Sequence, residues 1–136
     1  MRLSLFTDLG LRVLMRMAGE PKAKFSARTL ATDLNVSHHH LTKVVGALSS
    51  AGFLQSRRGH RGGVSLAVPA STILLGDVVR ALEGSTPIVE CFRLDGGSCT
   101  LSPNCLLQGR LARAHERFID ELNTATLNDV AYIASS

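Results

Sequence analysis

Residues 36–68, "VSHHHLTKVVGALSSAGFLQSRRGHRGGVSLAV", constrain the fold more than any other stretch of the chain. Leu41, Val44, Val45 and Leu48 recur at i, i+3, i+4 and i+7, the spacing of a helix with one buried face. Ser37 stands at the helix-capping position and Gly52 where a helix stops. The period then changes. Phe53-Leu54 and the alternating Val64, Leu66 and Val68 flank Arg57, Arg58, Gly59, His60, Arg61, Gly62 and Gly63. This reads as a β-hairpin whose glycines supply the positive φ angles of its turn. A helix followed at once by a basic hairpin leaves few folds open.

Upstream, Phe6, Leu9, Val13 and Met17 predict an amphipathic helix over 4–19. "PKAK" reads as a connector. Ser26 caps a short second helix with Leu30, Ala31 and Leu34 on one face, and Asn35-Val36 breaks the chain before the third. The order helix, helix, turn, helix, hairpin predicts a winged helix-turn-helix, mainly α with a small β-hairpin. Downstream, Leu74, Leu75, Val78, Val79 and Leu82 give a fourth helix ended by Gly84. Ser102-Pro103 has the form of a cap followed by proline at the first helical position. The stripe Leu107, Leu111, Ala114, Phe118 and Leu122 then makes a long C-terminal helix suited to dimerisation. Thr126 opens a last short helix, with Asp129 closing a capping box. Residues 1–70 are thus read as a DNA-binding domain, and 71–136 as a regulatory loop with dimerisation helices.

Charge supports this division. Residues 1–68 hold ten Lys/Arg against three Asp/Glu, a balance of +7, and residues 69–136 hold five against eight, a balance of −3, which together give the formal +4. A basic first half points to a polyanion, and here to double-stranded DNA. Ser37, His38, His39, His40 and Lys43 lie at the start of the third helix, off its apolar stripe, where a recognition helix meets base edges. Arg28, on the helix before it, joins this set. Arg57, Arg58 and Arg61 give the hairpin the cations of a wing that enters a minor groove. The three histidines cannot chelate one ion, because consecutive helical residues point in different directions.

All three cysteines fall in "CFRLDGGSCTLSPNC", as Cys91, Cys99 and Cys105. The opening "MRLSLFTDLG" lacks a secretory signal, and no apolar run approaches the roughly 18 residues of a membrane span. The chain is therefore expected in the cytoplasm, with no membrane partner, where thiols stay reduced and clustered cysteines mean metal or redox chemistry. Soft thiolates select iron–sulfur clusters, zinc or Cu(I), and three are one short of a cubane cluster's four. Cys105 is expected in the first turn of the helix begun by Ser102-Pro103, where the positive helix end favours the thiolate. An enzyme with a nucleophilic cysteine needs a base and an orienting group, and the loop offers neither. A zinc site and a disulfide switch remain open on the residues alone.

The opening "FTDLGLRVLMRMA", the block from Val36 to Ala67, "GDVVRALEG" and the cysteine loop together resemble the NsrR-type regulators over about residues 1–130. These are nitric-oxide-sensing iron–sulfur repressors in the winged-helix family that also includes IscR. The resemblance implies a homodimer with one 4Fe–4S cluster per subunit (a 2Fe–2S cluster or zinc being the lesser alternatives) that binds a near-palindromic operator and answers to nitric oxide. It implies Cys91, Cys99 and Cys105 as ligands, and Asp8 from the partner subunit as the fourth. Arg12 and Glu83 are placed to orient that carboxylate. Taken without the resemblance, Asp8 and Arg12 form an ordinary exposed helix pair worth about 0.2–0.5 kcal/mol. His115 reads as packed or solvated rather than ligating. The alternative function is a repressor that senses zinc or thiol oxidation without a cluster.

Overall fold

Serine caps decide where the first three helices begin. In the computed structural model, which describes residues 2–59, 62–84 and 86–134, α1 spans Leu5–Gly19, α2 Ala27–Asp33 and α3 His38–Ser50. The Ser4 hydroxyl accepts the Thr7 amide at 3.1 Å, Ser26 that of Thr29 at 3.0 Å, and Ser37 that of His40 at 3.1 Å. Each bond satisfies one of the amides that a helix start leaves without a partner. Asn35 turns the chain between α2 and α3 at φ 54°, a left-handed conformation asparagine tolerates. Gly52, at φ 89°, ends α3.

Strands β1 (Leu54–Arg57) and β2 (Gly63–Leu66) pair antiparallel, with Leu54 opposite Leu66 and Arg57 opposite Gly63. The connector before α2 adds to this wing. The Val64 amide donates to the Phe25 carbonyl at 2.8 Å, making a bridge on the far edge of β2. Gly63 is required there, because at φ 153° a Cβ would come within 2.6 Å of the Phe25 carbonyl oxygen. His60 and Arg61, at the hairpin tip, lie outside the described residues.

Helix α4 (Leu75–Glu83) is stopped by Gly84 at φ 57°, as expected. Helix α5 spans Leu106–Leu122. It starts later than Ser102-Pro103 predicted. That peptide bond is cis, the Ser102 side chain caps nothing among the described residues, Pro103 and Asn104 form a bend, and Cys105 is extended (φ −81°, ψ 116°). Cys105 therefore occupies the capping position and not the first turn. Short 3-10 turns cover Ala70–Thr72, Glu90–Phe92 and Leu127–Val130, the last with the predicted Thr126–Asp129 capping box.

The core gathers on α1. Val13, Leu14 and Met17 pack with Leu30 of α2, the Leu41–Val44–Leu48 stripe of α3, Leu54 and Val64 of the wing, Val78 of α4, and Leu127. One core thus spans both sides of residue 70. Burying a Leu or Val side chain stabilises by about 1.5–3 kcal/mol, so the α3 stripe is a large part of what fixes the recognition helix. The chain after α5 returns to this core, the Leu127 amide donating to Ile73 O at 2.8 Å and the Tyr132 amide to Met15 O at 2.9 Å. Among the described residues no helix is long and apolar enough to cross a membrane.

Helix α5 docks lightly. Ile119 is its single buried residue, and it lies off the predicted Leu107–Leu122 stripe. Asn123 accepts the Asp77 amide at 3.0 Å and donates to the Asp77 carboxylate at 3.1 Å, while Arg80 pairs with Glu116 at 3.1 Å. Gly76 lets the helices meet, since a Cβ there would strike the Ile119 carbonyl. In the first turn Leu106 is 90% exposed and Leu107 60%.

Replacing Leu48 with Ala should cost about 2–5 kcal/mol in denaturant unfolding, from the lost burial and the cavity left behind. A loss below about 1 kcal/mol would mean that this stripe does not anchor α3.

Candidate DNA interface and cysteine loop

The recognition surface follows from the capping of α3. With Leu41, Val44, Val45 and Leu48 turned into the core, the helix keeps Ser37, His38, His39 and Lys43 exposed and His40 half-buried. Thr42 donates to the His38 carbonyl at 2.8 Å, which leaves its hydroxyl engaged with the helix itself. Arg28 is exposed on α2, and Arg57 and Arg58 are exposed at the end of β1. Among the described residues, none of Arg28, Lys43, Arg57 and Arg58 enters an ion pair. Their charge is therefore available to a polyanion. Arg61 lies outside the described residues.

The connector read as "PKAK" contributes more than the sequence suggested. The Phe25–Val64 bridge carries Lys24 onto the wing. Phe25, Val64 and Leu54 are buried, whereas Lys24, Gln55, Arg57 and Ser65 are not. A single bridged residue is too short to show a two-residue period, so the sequence offers only Phe25 beside Lys24 as a signal.

The cysteine loop is braced from within. The Glu90 carboxylate accepts both the Ser98 amide, at 3.0 Å, and the Ser98 hydroxyl. Glu90 and Ser98 immediately precede Cys91 and Cys99, so this clamp ties together the two ends of the Cys91–Cys99 segment. Asp95 accepts the Gly97 amide at 2.9 Å and pairs with Arg93 at 2.9 Å. Gly97, at φ 64°, has no room for a Cβ against Glu90. The Ser98 hydroxyl and amide hold the Glu90 carboxyl below the usual carboxylate range.

All three cysteines are free and half-buried. As a donor set they fit a soft metal or an iron–sulfur cluster, being thiols alone within one loop. Among the described residues of a single chain, however, no three Cys, His, Asp or Glu side chains gather as a metal ion would need. Asp8 sits on the exposed face of α1, where Arg12 grips its carboxylate through Nη2 at 2.7 Å and Nε at 3.3 Å. Among the described residues Glu83 makes no hydrogen bond or ion pair with either of them. It accepts the Ser4 amide at 2.6 Å and so holds the start of α1. His115 lines a pocket with Val79, Glu83, Val89, Leu111 and Phe118.

Residues 3–132 match the model of the Rrf2 family, described as an iron-dependent transcriptional regulator. The chain belongs to the Rrf2 family. It is a DNA-binding transcriptional regulator with the winged-helix fold. Among solved Rrf2-like structures, CymR, the global cysteine regulator of B. subtilis, matches with a TM-score of 0.75 at 27% identity, over 96% of each chain. The oxidized form of Staphylococcus aureus CymR matches with a TM-score of 0.73 at 30% identity, over 100% of each chain. IscR of T. potens shares the fold, with a TM-score of 0.74 at 22% identity, over 100% of this chain and 94% of that one.

The Glu90 clamp has a pH signature. A carboxyl lowered by folding contributes stability that is present above its unfolded value, about 4.3, and is lost as pH falls through its lower folded value. The Ser98 amide resonance should therefore titrate with a midpoint below about 4.3, and Glu90→Ala should abolish that titration. A midpoint at or above that value would mean that the clamp does not form in solution.

Proposed function

We propose that this Rrf2 chain is a homodimeric, cytoplasmic transcriptional repressor whose operator affinity is set by the state of Cys91, Cys99 and Cys105. The observation that carries the reading is the position of the loop. Every thiol of the chain lies between α4, which packs on α1, and α5, which offers an exposed face to a partner. Pairing two copies through α5 sets the spacing of two α3 helices, matched to half-sites of a near-palindromic operator about one helical turn, or a multiple of it, apart. Ser37, His38, His39, His40 and Lys43 face base edges, Arg28 joins them from α2, and Arg57, Arg58 and Arg61 form the wing contact.

In the reading we favour, Cys91, Cys99 and Cys105 hold a 4Fe–4S cluster, with Asp8 of the partner subunit as fourth ligand. Such a cluster supplies iron that reacts with nitric oxide. Arg12 fixes the Asp8 carboxylate, Glu83 steadies the start of α1, and the Glu90–Ser98 clamp keeps Cys91 and Cys99 in one loop. A coupling of about 1–3 kcal/mol between loop state and DNA affinity is enough for a useful switch. A second reading, in which the thiols sense zinc or their own oxidation, draws on two observations. Among the described residues no three donors converge within one chain, and the chain resembles CymR, a cysteine regulator with a known oxidized form.

Iron, sulfide and zinc per chain, measured on protein purified without oxygen, separate the two. About four iron and four sulfide, with a visible absorption bleached by nitric oxide, are expected for the cluster. Colourless protein whose DNA affinity follows oxidant and reductant would sink the cluster and leave the thiol reading. Replacing Lys43 or His40 with Ala should change which base pairs are tolerated, whereas a uniform loss at every site would restrict them to phosphate. Replacing Leu107 with Asp should give a monomer in sedimentation, and an unchanged dimer would move the pairing surface off the start of α5.

A further inference from the structure

The wing has two faces, an inner one packed on the core and an outer one on which Arg57 has neighbours not yet assigned a role. Phe25, Val64 and Leu54 face the core. Partners across an antiparallel pair share a face, so Gln55 and Ser65 project together to the outer side. Arg57, two residues on from Gln55, joins them there. Lys24 precedes the buried Phe25 and comes to the same side from the opposite edge. Lys24, Gln55, Arg57, Gly62, Gly63 and Ser65 line one shallow cavity of about 180 Å³.

The chemistry of this groove is specific. A cation stands at each rim, and among the described residues neither Lys24 nor Arg57 is in an ion pair. Gln55 Nε2 donates to Ser65 Oγ at 3.2 Å, so the Ser65 hydroxyl, already accepting, keeps its own proton to donate. Gly62 and Gly63 leave the floor without side chains, and a Cβ at either would collide with backbone. Two cations, a free hydroxyl donor and a bare floor suit a phosphodiester.

We propose that the outer face of the wing, where Lys24 and Arg57 flank the Gln55–Ser65 pair, is a second DNA-backbone site that holds a phosphate beside the base pairs read by α3. The site rests on the DNA-binding reading above and extends it to a residue outside both the recognition helix and the hairpin. It gives register and affinity and carries no base preference.

The test uses the full chain and a labelled duplex of arbitrary sequence, with binding followed between about 50 and about 200 mM salt. Each phosphate contact adds about 0.9 to the slope of log affinity against log salt, or about 3.5-fold in affinity over that range. Lys24→Ala should lower the slope by about that amount, and Lys24→Arg should restore it. An unchanged slope in Lys24→Ala, with a lowered one in Arg57→Ala, would overturn this site and leave the wing on DNA. A slope that Lys24→Arg does not restore would also overturn it, because the loss would then come from disturbed folding and not from charge. No binding of the duplex by the wild-type chain would overturn both this site and the DNA reading beneath it.

Discussion

The burial of α1 places everything else. Val13 and Leu14 lose all exposure at its centre, and Leu9 and Met17 extend the buried surface by a turn either way. No single partner covers that surface. Helix α3, helix α4, strand β2 and the Leu127–Val130 turn each take a side. Arg16, near the end of α1, lies over the Phe25 ring at 5.3 Å and reaches Glu20 at 3.1 Å and Asp33 at 3.6 Å. It therefore links α1 to α2 through the Asp33 ion pair and to the wing's bridging residue Phe25 through a cation–π contact. The recognition helix and the wing are held relative to each other through α1. Because packed interiors do not deform smoothly, a small displacement of α1 has to be taken up by one or both.

Helix α4, from which the cysteine loop leaves, meets α1 where such a displacement can start. Gly10 allows Leu82 of α4 to sit against α1, since a Cβ would occupy the same space. Glu83, one residue on, accepts the Ser4 amide that opens α1. The cysteine loop leaves from the end of α4, and Asp8 and Arg12 lie on the same helix whose far side packs on α3. The proposed switch thus needs only two packed interfaces between loop and recognition helix. An order-of-magnitude change in DNA affinity corresponds to about 1.4 kcal/mol, less than one fully buried leucine contributes.

What could be read from the sequence was local. The serine caps at 26 and 37, the Leu41–Leu48 stripe, the hairpin and the stop at Gly84 each depend on residues within a few positions, and the structure has them where they were expected. Where tertiary placement prevailed, the sequence misled or was silent. Ser102-Pro103 has the pattern of a helix start, yet the chain bends there and the helix begins only after Cys105. The Glu90–Ser98 clamp closes a loop with no periodicity to announce it. Ile119 docks α5 on α4 from outside the predicted stripe, which leaves that stripe half-exposed or exposed, as a surface kept for a second chain would be.

The disposition of charge completes the argument for what the head binds. Arg12, Arg16, Arg80 and Arg93 are each spent on a carboxylate within the chain. Such pairs fix geometry, but they nearly cancel as seen from a distance. Lys24, Arg28, Lys43, Arg57 and Arg58 are exposed and have no such partner among the described residues. All five belong to α2, α3 or the wing. A fold that needed these cations for its own stability would have paired them. Leaving them unpaired costs repulsion within the head, a cost offset when a polyanion releases its counterions on binding. Arg110, Arg113 and Arg117 of α5 are exposed and likewise outside any ion pair among the described residues, but there Glu116, Asp120 and Glu121 of the same helix offset them, whereas α2, α3 and the wing carry a net positive charge.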